Sequence, residues 1–325
     1  MIFNNTTDLV FDDVFLKNSD LIQHANLYLK LEGLSLGGSI KIKPAIKMMA
    51  RLKLAGRLDN DATIIESSSG NLGVALSIIC AIKGYPFICV ADPNILPTSE
   101  NLIKAYGGRV IKVTQKDSNG GFLKSRIDKI KNMCAVDSSL IWINQYENID
   151  NLEAHYLGTG KSIARQFPNL DYLFVGVGTT GTLGGVSQYI YEHIPNVKII
   201  AIDSVGSVTF GGTPNKRYIP GLGTSVEPPI SRASNYDELI RISEKDTIKM
   251  CHRMAKSGIL LGGSSGTILA GVDSYKSNIP EGATVVAISP DFGERYISTL
   301  YNPEWVNDHF DNVIDYYPDL QKVAL

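Results

Sequence analysis

Four short turns rich in glycine, serine and threonine stand out because their composition suits the binding of an anion. They are GGSIK at 37–41, SSSGNLG at 67–73, GTTGT at 178–182 and GGSSGT at 262–267. Each turn precedes apolar residues at helical spacing, so each is predicted to run into the N-terminus of a helix. Unpaired N–H groups and the helix dipole attract anions there, while glycine allows close approach. One such turn is ordinary in an α/β protein, but four in one chain predict a site for phosphate or carboxylate groups.

The first of these turns contains a lysine, Lys41, which has two interpretations. A lysine with a lowered pKa forms a Schiff base with a carbonyl cofactor and can then move a substrate proton. Most lysines are instead solvated surface charges, and the neighbouring Lys43 and Lys47 fit that description. The spacing alone leaves both interpretations open for Lys41.

Other motifs with established chemistry are missing from the sequence. There is no GxxxxGK[ST] sequence, which argues against a P-loop nucleotide hydrolase, and no clean GxGxxG with a downstream acidic residue. The 4 cysteines show no CxxC pair and no spacing typical of metal ligands. We therefore expect them to be small core residues and expect no metal site.

Composition narrows the class of protein further. The chain has 325 residues, which favours two packed lobes around a cleft, and 44% of them are hydrophobic. The formal net charge is −2, so no basic excess is present to neutralise a nucleic acid. The most apolar stretch, 72–90, is interrupted by Lys83, Gly84 and Pro86, and the acidic N-terminus does not resemble a secretory signal. The sequence thus predicts a cytoplasmic enzyme that binds neither nucleic acid nor membrane.

Strand-like and helix-like patterns alternate along most of the chain and would position these turns. Short β-branched runs at 62–69, 86–92, 109–115 and 141–146 are separated by segments with helical periodicity. The same alternation continues after residue 150, where the strand-like runs are DYLFVGVG, KIIAIDSV and ATVVAISPD. This pattern predicts an α/β fold with parallel sheets flanked by helices.

In their order along the chain, GGSIK, SSSGNLG, GTTGT, IPGLG, GGSSGT and SPDFGERY closely resemble the fold-type II pyridoxal-phosphate enzymes of the cysteine synthase and cystathionine β-synthase family. The resemblance implies a two-lobe, tryptophan synthase β-like fold with pyridoxal 5′-phosphate in the interlobe cleft, and a homodimer. It also implies lobe boundaries: a larger cofactor-binding lobe of residues 1–40 plus 150–325, and a smaller, mobile substrate-binding lobe of residues 41–149.

The resemblance assigns roles to individual residues of this chain. Lys41 would be the catalytic residue that holds the cofactor as a Schiff base, Asn71 would bind the ring hydroxyl oxygen, and Ser264 would face the pyridine nitrogen. The cofactor phosphate would lie in a cradle made of Gly178, Thr179, Thr180, Gly181 and Thr182. The residues expected around the amino-acid substrate are Ser68, Ser69, Gly70, Gln145, Pro220 and Gly221.

Within this family, ESSSGNLGVAL, WINQYEN and SPDFGERY resemble most the enzymes that join O-phospho-L-serine to L-glutamate. The product, N-(2-amino-2-carboxyethyl)-L-glutamate, is a precursor of the 2,3-diaminopropionate found in siderophores. The resemblance implies a β-replacement through an α-aminoacrylate, with amino acids as the small-molecule substrates. Arg126 and Tyr146 fall at substrate-recognition positions, although an arginine on an amphipathic helix is often a surface residue.

Two departures from the family pattern keep alternatives open. After Lys41 the chain continues with Ile42, Lys43 and Pro44, where relatives commonly have Asp-Arg-Pro. Gly178 is the residue typical of ordinary cysteine synthases, whereas the glutamate-using enzymes tend to have serine there. The alternatives are a cysteine synthase-like enzyme with a sulfur nucleophile and, more remotely, a catalytically silent binding homologue.

Overall fold

The computed structural model describes residues 2–117, 120–311 and 313, and its strands form two sheets. The larger sheet has the strand order β1-β2-β10-β7-β8-β9. Its strands are β1 (Phe15–Asn18), β2 (Asn26–Leu31), β7 (Tyr172–Gly176), β8 (Lys198–Ser204), β9 (Glu238–Ile242) and β10 (Thr284–Ser289). Every neighbouring pair in this sheet is parallel except β1 and β2, which are antiparallel.

The smaller sheet is parallel throughout, with the order β5-β4-β3-β6. Its strands are β3 (Thr63–Ser67), β4 (Phe87–Ala91), β5 (Arg109–Lys112) and β6 (Leu140–Trp142). All four come from one continuous part of the chain between β2 and β7, so each sheet is a separate structural layer.

Helices connect the parallel strands and cover the sheets. They are α1 (Ile42–Leu54), α2 (Asn71–Lys83), α3 (Pro97–Ala105), α4 (Leu123–Val136), α5 (Ile149–Ala154), α6 (Lys161–Gln166), α7 (Gly181–His193), α8 (Glu244–Lys256), α9 (Gly263–Tyr275) and α10 (Pro303–His309). A π-helical segment, His155–Gly160, joins α5 to α6. The α/β fold with helix-flanked parallel sheets predicted from the sequence is confirmed.

One local prediction needs correction. The run at 141–146 was expected to be a strand throughout, but β6 ends at Trp142. Asn144 has a φ of 57°, a left-handed conformation that cannot continue a strand, so the residues after it lie in a loop. The antiparallel pair β1–β2 lies at one edge of the larger sheet and was not among the strands predicted from the sequence.

Each sheet has its own hydrophobic core. The two faces of the larger sheet are covered by separate clusters of buried apolar residues, and a third cluster packs α1 and α2 against the smaller sheet. Cys80, Cys89 and Cys251 are buried in these cores and Cys134 is half-buried, as predicted for small packing residues. Within the described part of the chain, no helix has the length and apolar character required to cross a membrane.

The chain passes from the larger sheet to the smaller one after β2 and returns after β6. The smaller sheet therefore draws on residues 63–142, and the larger one on residues 15–31 and 172–289. The lobe boundaries at 40/41 and 149/150, the mobility of the smaller lobe and the homodimer stay predictions.

Candidate active site

The four Gly/Ser/Thr-rich turns lead into α1, α2, α7 and α9, as predicted. Contacts between distant parts of the chain bring three of these helix starts together. The N–H of Ile40, just before α1, donates to the carbonyl of Pro290 at 2.8 Å. Asn71 at the start of α2 and Ser264 at the start of α9 both hydrogen-bond the next residue, Asp291.

Asp291 is the centre of this convergence and has no exposed surface. Its Oδ2 accepts hydrogen bonds from Asn71 Nδ2 at 2.7 Å and from the Tyr296 hydroxyl at 2.6 Å. Its Oδ1 accepts from Ser264 Oγ at 3.3 Å. Burial raises the pKa of the Asp291 carboxyl, and the donated hydrogen bonds oppose that shift. Two residues predicted to bind the cofactor ring are thus tied to one buried carboxyl group.

Arg295 fixes the orientation of the Asn71 amide. Its Nη1 donates to Asn71 Oδ1, and its Nη2 donates to the carbonyl of Gly37 in the turn before α1. Because a guanidinium can only donate, the oxygen of the amide must face Arg295. One of the two amide hydrogens on Nδ2 goes to Asp291, so the second remains as a donor for a ligand.

The motif SPDFGERY was noticed in the sequence only as part of the resemblance, and its Asp291, Arg295 and Tyr296 were not assigned to the site. Asn71 and Asp291 are 220 positions apart in the chain. The available signal was four polar side chains within six residues, shortly after a buried strand.

Lys41 lies directly before α1 and is half-buried. Burial lowers the pKa of its amine to about 8, and the nearby charge of Asp291 opposes this shift. A far larger share of Lys41 is therefore neutral near pH 7 than of an ordinary lysine. A neutral amine is the form that attacks a carbonyl or accepts a proton.

The turn at 178–182 lies between β7 and α7 and has the shape of an anion cradle. Thr180 takes a φ of 72° at the start of α7, and its buried Oγ1 has no hydrogen-bond partner in the described structure. A Cβ on Gly181 would lie 2.4 Å from Asn151 Oδ1, so any other residue would have to displace the buried Asn151 amide. The Thr179 hydroxyl accepts a hydrogen bond from Asn151 Nδ2 at 3.2 Å. An unsatisfied hydroxyl at a helix N-terminus fits the binding of a phosphate group.

The loop that contains Pro220 and Gly221 lies between this cradle and the start of α9. A Cβ on Gly178 would lie 3.1 Å from the Gly221 carbonyl oxygen. Gly221 has a φ of 115°, and a Cβ there would lie 3.2 Å from the Cβ of Ser264. The structure therefore brings Gly178, Gly221 and Ser264 into one continuous wall.

The turn at 67–73 leads from β3 into α2. The Ser68 hydroxyl accepts hydrogen bonds from the N–H groups of Gly70, at 3.2 Å, and Gly73, at 3.0 Å. Gln145 Nε2 donates to the carbonyl of Ser67 at 2.9 Å, which holds the loop after β6 against this turn. No atom lies within 4 Å of the position of a Cβ on Gly70. The substrate-binding roles of Ser68, Gly70 and Gln145 stay predictions.

Arg126 is not a surface residue, because only 9% of it is exposed. Its Nη1 donates to Ser69 Oγ at 3.0 Å and forms an ion pair with Asp92 Oδ2 at 3.4 Å. Its buried Nε has no hydrogen-bond partner in the described structure. Tyr146 is also buried, and burial raises the pKa of its hydroxyl while the Arg126 charge opposes that shift.

The Ser69 hydroxyl can still donate one hydrogen bond. Its oxygen accepts from Arg126 Nη1 and from the N–H of Asp92 at 2.9 Å. A hydroxyl oxygen has two lone pairs and one hydrogen, so the O–H remains free to donate. An anion beside Ser69 and Arg126 would satisfy both residues.

One further prediction was wrong. Lys43 was expected to be a solvated surface charge, but only 6% of it is exposed. Its amine lies between the carboxylates of Glu32 and Asp12, and Glu32 Oε1 accepts a hydrogen bond from it at 2.8 Å. Lys47, by contrast, is partly exposed and pairs with Glu153 at 3.1 Å.

A lysine with a lowered pKa and a helix N-terminus that fits a phosphate group are the two features needed to hold a phosphorylated carbonyl cofactor. The family model described as "Pyridoxal-phosphate dependent enzyme" matches residues 14–291. The chain belongs to this family, and it is a pyridoxal-phosphate-dependent β-replacement enzyme of the cysteine synthase type.

Relatives and solved structures agree with this assignment. The chain is 39% identical over 284 residues to the N-(2-amino-2-carboxyethyl)-L-glutamate synthase of Ralstonia nicotianae, covering 87% of this chain and 84% of that protein. It superposes on a hydrogen sulfide-producing enzyme from Fusobacterium nucleatum with a TM-score of 0.84 at 31% identity, covering 91% of this chain and 100% of that one. The O-acetylserine-dependent cystathionine β-synthase of Helicobacter pylori gives a TM-score of 0.85 at 28% identity, with 92% and 98% covered.

Proposed function

We propose that this enzyme joins O-phospho-L-serine to L-glutamate and releases N-(2-amino-2-carboxyethyl)-L-glutamate and phosphate. The bond between the β-carbon and the phosphate oxygen breaks. A bond from the β-carbon to the glutamate nitrogen forms in place of one of its N–H bonds, whose proton is released. The observation that carries the proposal is the buried Arg126, which has an unpartnered Nε and lies beside the free O–H of Ser69. The similarity to the Ralstonia synthase supports the same pair of substrates.

In this proposal the cofactor would be held by residues in the connections of both sheets. Lys41 attaches it covalently, residues 178–182 bind its phosphate, Asn71 donates to its ring oxygen and Ser264 faces its ring nitrogen. When bound, pyridoxal phosphate supplies an electron sink for the negative charge that develops at the substrate α-carbon. The protein supplies orientation and proton transfer around that sink.

Lys41 is the residue proposed to move the proton. With a pKa of about 8, its amine is basic enough to take the α-proton and neutral often enough to do so near pH 7. The proton held on Nζ is then returned to the α-carbon after the new bond has formed. Because the same atom both takes and returns the proton, the exchange at the α-carbon requires no second general base.

Arg126 and Ser69 are proposed to bind the phosphate of the first substrate or a carboxylate of the second. The Arg126 charge is already shared with Asp92, so its Nε–H and the Ser69 O–H are the unused donors. Charge-assisted hydrogen bonds of this kind are about twice as strong as neutral ones. Stabilising the departing phosphate dianion at this position would favour cleavage of the bond to the β-carbon.

A second candidate is β-replacement with a sulfur nucleophile, and Gly178 favours it. A Cβ at this position would lie 3.1 Å from the Gly221 carbonyl oxygen, so the wall of the site is built closely around glycine. A serine there would require that wall to move by a few tenths of an ångström. The glutamate-using enzymes that this chain resembles tend to have serine at this position.

The decisive experiment measures turnover of the purified enzyme with each donor and acceptor in combination. O-phospho-L-serine and O-acetyl-L-serine are each paired with L-glutamate and with sulfide, and the products are identified by mass. We expect the phosphoserine and glutamate pair to give the highest kcat/KM. A preference for sulfide, with no product from glutamate, would establish the second candidate instead.

Replacing Arg126 tests the observation on which the proposal rests. Arg126→Met should raise the KM for phosphoserine or glutamate about 10- to 100-fold, the value of a hydrogen bond to a charged group. The matched control is Lys124→Met, two residues earlier on α4, where the lysine side chain is 61% exposed. If each substrate has the same KM in Arg126→Met as in Lys124→Met, Arg126 does not bind either substrate. Thermal melting checks that both variants fold.

A further inference from the structure

A buried group of charged residues lies behind the phosphate cradle and has no part in the proposed reaction. Its centre is Lys43, whose amine hydrogen-bonds Glu32 Oε1 at 2.8 Å and Thr159 Oγ1 at 3.2 Å and forms an ion pair with Asp12. An ammonium group has three hydrogens, and here each of them has a partner. The orientation of the Lys43 amine is therefore fully determined.

Lys43 can act only as a donor. Burial alone would lower the pKa of its amine, but the charges of Glu32 and Asp12 outweigh burial and raise it. Lys43 therefore stays protonated at neutral pH. Every hydrogen bond that it makes must run outward from its nitrogen.

A continuous chain of hydrogen bonds leads from Lys43 to the phosphate cradle. Thr159 Oγ1 lies 3.1 Å from His155 Nδ1, and His155 Nε2 lies 3.1 Å from Thr182 Oγ1. Thr159 and His155 have no exposed surface, whereas Thr182 is half-buried and borders the site. The chain thus begins at a buried cation and ends at a hydroxyl that a ligand can reach.

The direction of each hydrogen bond follows from the first one. Thr159 accepts from Lys43, and its single hydrogen has His155 Nδ1 as its acceptor. We therefore assign the His155 proton to Nε2, from which it is donated to Thr182 Oγ1. The hydrogen of the Thr182 hydroxyl is then left to point into the cradle, where it donates to an anion. The opposite tautomer would turn that hydrogen toward His155 and leave Thr159 without an acceptor.

His155 must be neutral for this arrangement, and its surroundings keep it so. Burial lowers the pKa of the imidazole well below its ordinary value of 6.5, and the positive charges of Lys41, Lys43 and Lys30 lower it further. A neutral imidazole has one donor and one acceptor nitrogen, as the chain requires.

Close packing of α7 on the π-helical segment makes the contact possible. A Cβ on Gly185 would lie 2.1 Å from the Leu152 carbonyl oxygen and 2.9 Å from His155 Cβ. A Cβ on Gly160 would lie 3.3 Å from the Cα of Val186. Without side chains at these two glycines, the backbones approach closely enough for the His155 ring to reach Thr182.

We propose that Lys43, Thr159 and His155 are positioning residues that fix the Thr182 hydroxyl as a hydrogen-bond donor to the cofactor phosphate. Lys43 is one of the residues at which this chain departs from its family, and this role accounts for its burial. The inference rests on the proposed place of the phosphate at 178–182 and is independent of the identity of the amino-acid substrates.

Thr159→Val tests the proposal because it keeps the shape of the side chain and removes the hydroxyl. The affinities of the full-length protein for pyridoxal phosphate and for pyridoxal, which lacks the phosphate, are compared by equilibrium dialysis. We expect Thr159→Val to lower the affinity for pyridoxal phosphate about tenfold, the value of one charge-assisted hydrogen bond. The affinity for pyridoxal should fall less than about twofold. Thr159→Ser, which keeps the hydroxyl, should restore the difference between the two ligands.

A double variant separates this role from a merely structural one. If Thr159 acts through Thr182, the double variant Thr159→Val/Thr182→Val should bind pyridoxal phosphate no more weakly than Thr182→Val alone. Losses that multiply, or equal losses for both ligands, would overturn the proposal. If Thr182→Val itself binds pyridoxal phosphate normally, Thr182 does not contact the phosphate and the proposal fails. That outcome would leave the proposed pair of amino-acid substrates unaffected. The 31P resonance of the bound cofactor should shift in Thr159→Val and return in Thr159→Ser.

Discussion

On the larger-sheet side of the site, a Cβ on any of the glycines would lie within 3.2 Å of a neighbouring atom, whereas Gly70 on the smaller-sheet side faces open space. The larger-sheet side consists of residues 178–182, 219–221, 262–264 and 291–296; the smaller-sheet side consists of the turn 67–73, Arg126 and the loop 145–146. A Cβ on Gly262 would lie 2.0 Å from Asp291 Oδ1. By contrast, no atom lies within 4 Å of a Cβ placed on Gly70. The other glycine of that turn, Gly73, is packed, because a Cβ there would lie 2.9 Å from Cys89 Sγ.

The polar groups of the two sides differ in the same way. On the larger-sheet side, Ser264 is held by the buried Asp291, and Thr182 is held by the buried His155. On the smaller-sheet side, the O–H of Ser69 and the Nε of Arg126 keep unused donors. With the roles proposed above, the cofactor side is fixed mainly by close packing, whereas the substrate side depends on side chains that can be exchanged.

The largest effect is expected where the two sides meet, at Lys41. Lys41→Ala removes the amine that we propose to attach the cofactor and to move the α-proton, so turnover should fall at least about 10²- to 10⁴-fold. Borohydride reduction followed by mass spectrometry should find the cofactor on the Lys41 peptide of the native enzyme only. Lys47→Ala on the same helix removes a partly exposed ion pair and should change neither result. Retained turnover in Lys41→Ala would contradict the mechanism.

A pair of glycine variants tests the difference in packing directly. Gly262→Ala places a methyl group against Asp291 and should cost about 1–3 kcal/mol of unfolding free energy, with weakened cofactor binding. Gly70→Ala meets open space and should change unfolding free energy by less than about 0.5 kcal/mol. Both glycines have negative φ values, −70° and −145°, so the comparison isolates steric contact from backbone strain. Denaturant unfolding and cofactor titration measure both quantities, and equal losses would break the comparison.

A substitution on the proposed substrate side should change the KM of the amino-acid substrates without changing the affinity for the cofactor. Tyr146→Phe removes a buried hydroxyl beside Arg126, and burial raises the pKa of that hydroxyl, which keeps it a neutral donor. We expect the KM of phosphoserine or glutamate to rise up to about tenfold, as for one neutral hydrogen bond, with unchanged affinity for pyridoxal phosphate. A loss of cofactor affinity equal to the loss in KM would show that the two sides are not separate.

The positions of the four turns were predictable because glycine, serine and threonine precede apolar helical patterns at each of them. The extent of β6 was not, because the left-handed Asn144 has no marker in a run that otherwise looks like a strand. The family resemblance selected Lys41 over its neighbours, and the structure adds the reason that its pKa is low. Sequence spacing gave no sign that Lys43 is buried, because its partner Glu32 also looks like a surface residue.

Contacts between residues far apart in the sequence account for the other features that could not be predicted from it. Asp291 meets Asn71 and Ser264 only after two helices and two strands have been placed, so no local pattern identifies it. The chain from Lys43 to Thr182 likewise joins α1, the π-helical segment and α7. Buried polar networks of this kind depend on tertiary geometry, and glycine spacing in GTLGG is their one local sign.

The smallest expected effect concerns the pH dependence of cofactor attachment at Lys41. Only the neutral amine reacts with a carbonyl, so after cofactor removal the rate of attachment should rise about tenfold per pH unit and level off above the amine pKa of about 8. A rate still rising above about pH 10 would mean that Lys41 titrates as an ordinary lysine. Asp291 opposes the lowered pKa, so Asp291→Asn should move the levelling point to lower pH. An unchanged levelling point would show that Asp291 is already protonated in this range, the direction in which burial shifts the pKa of its carboxyl.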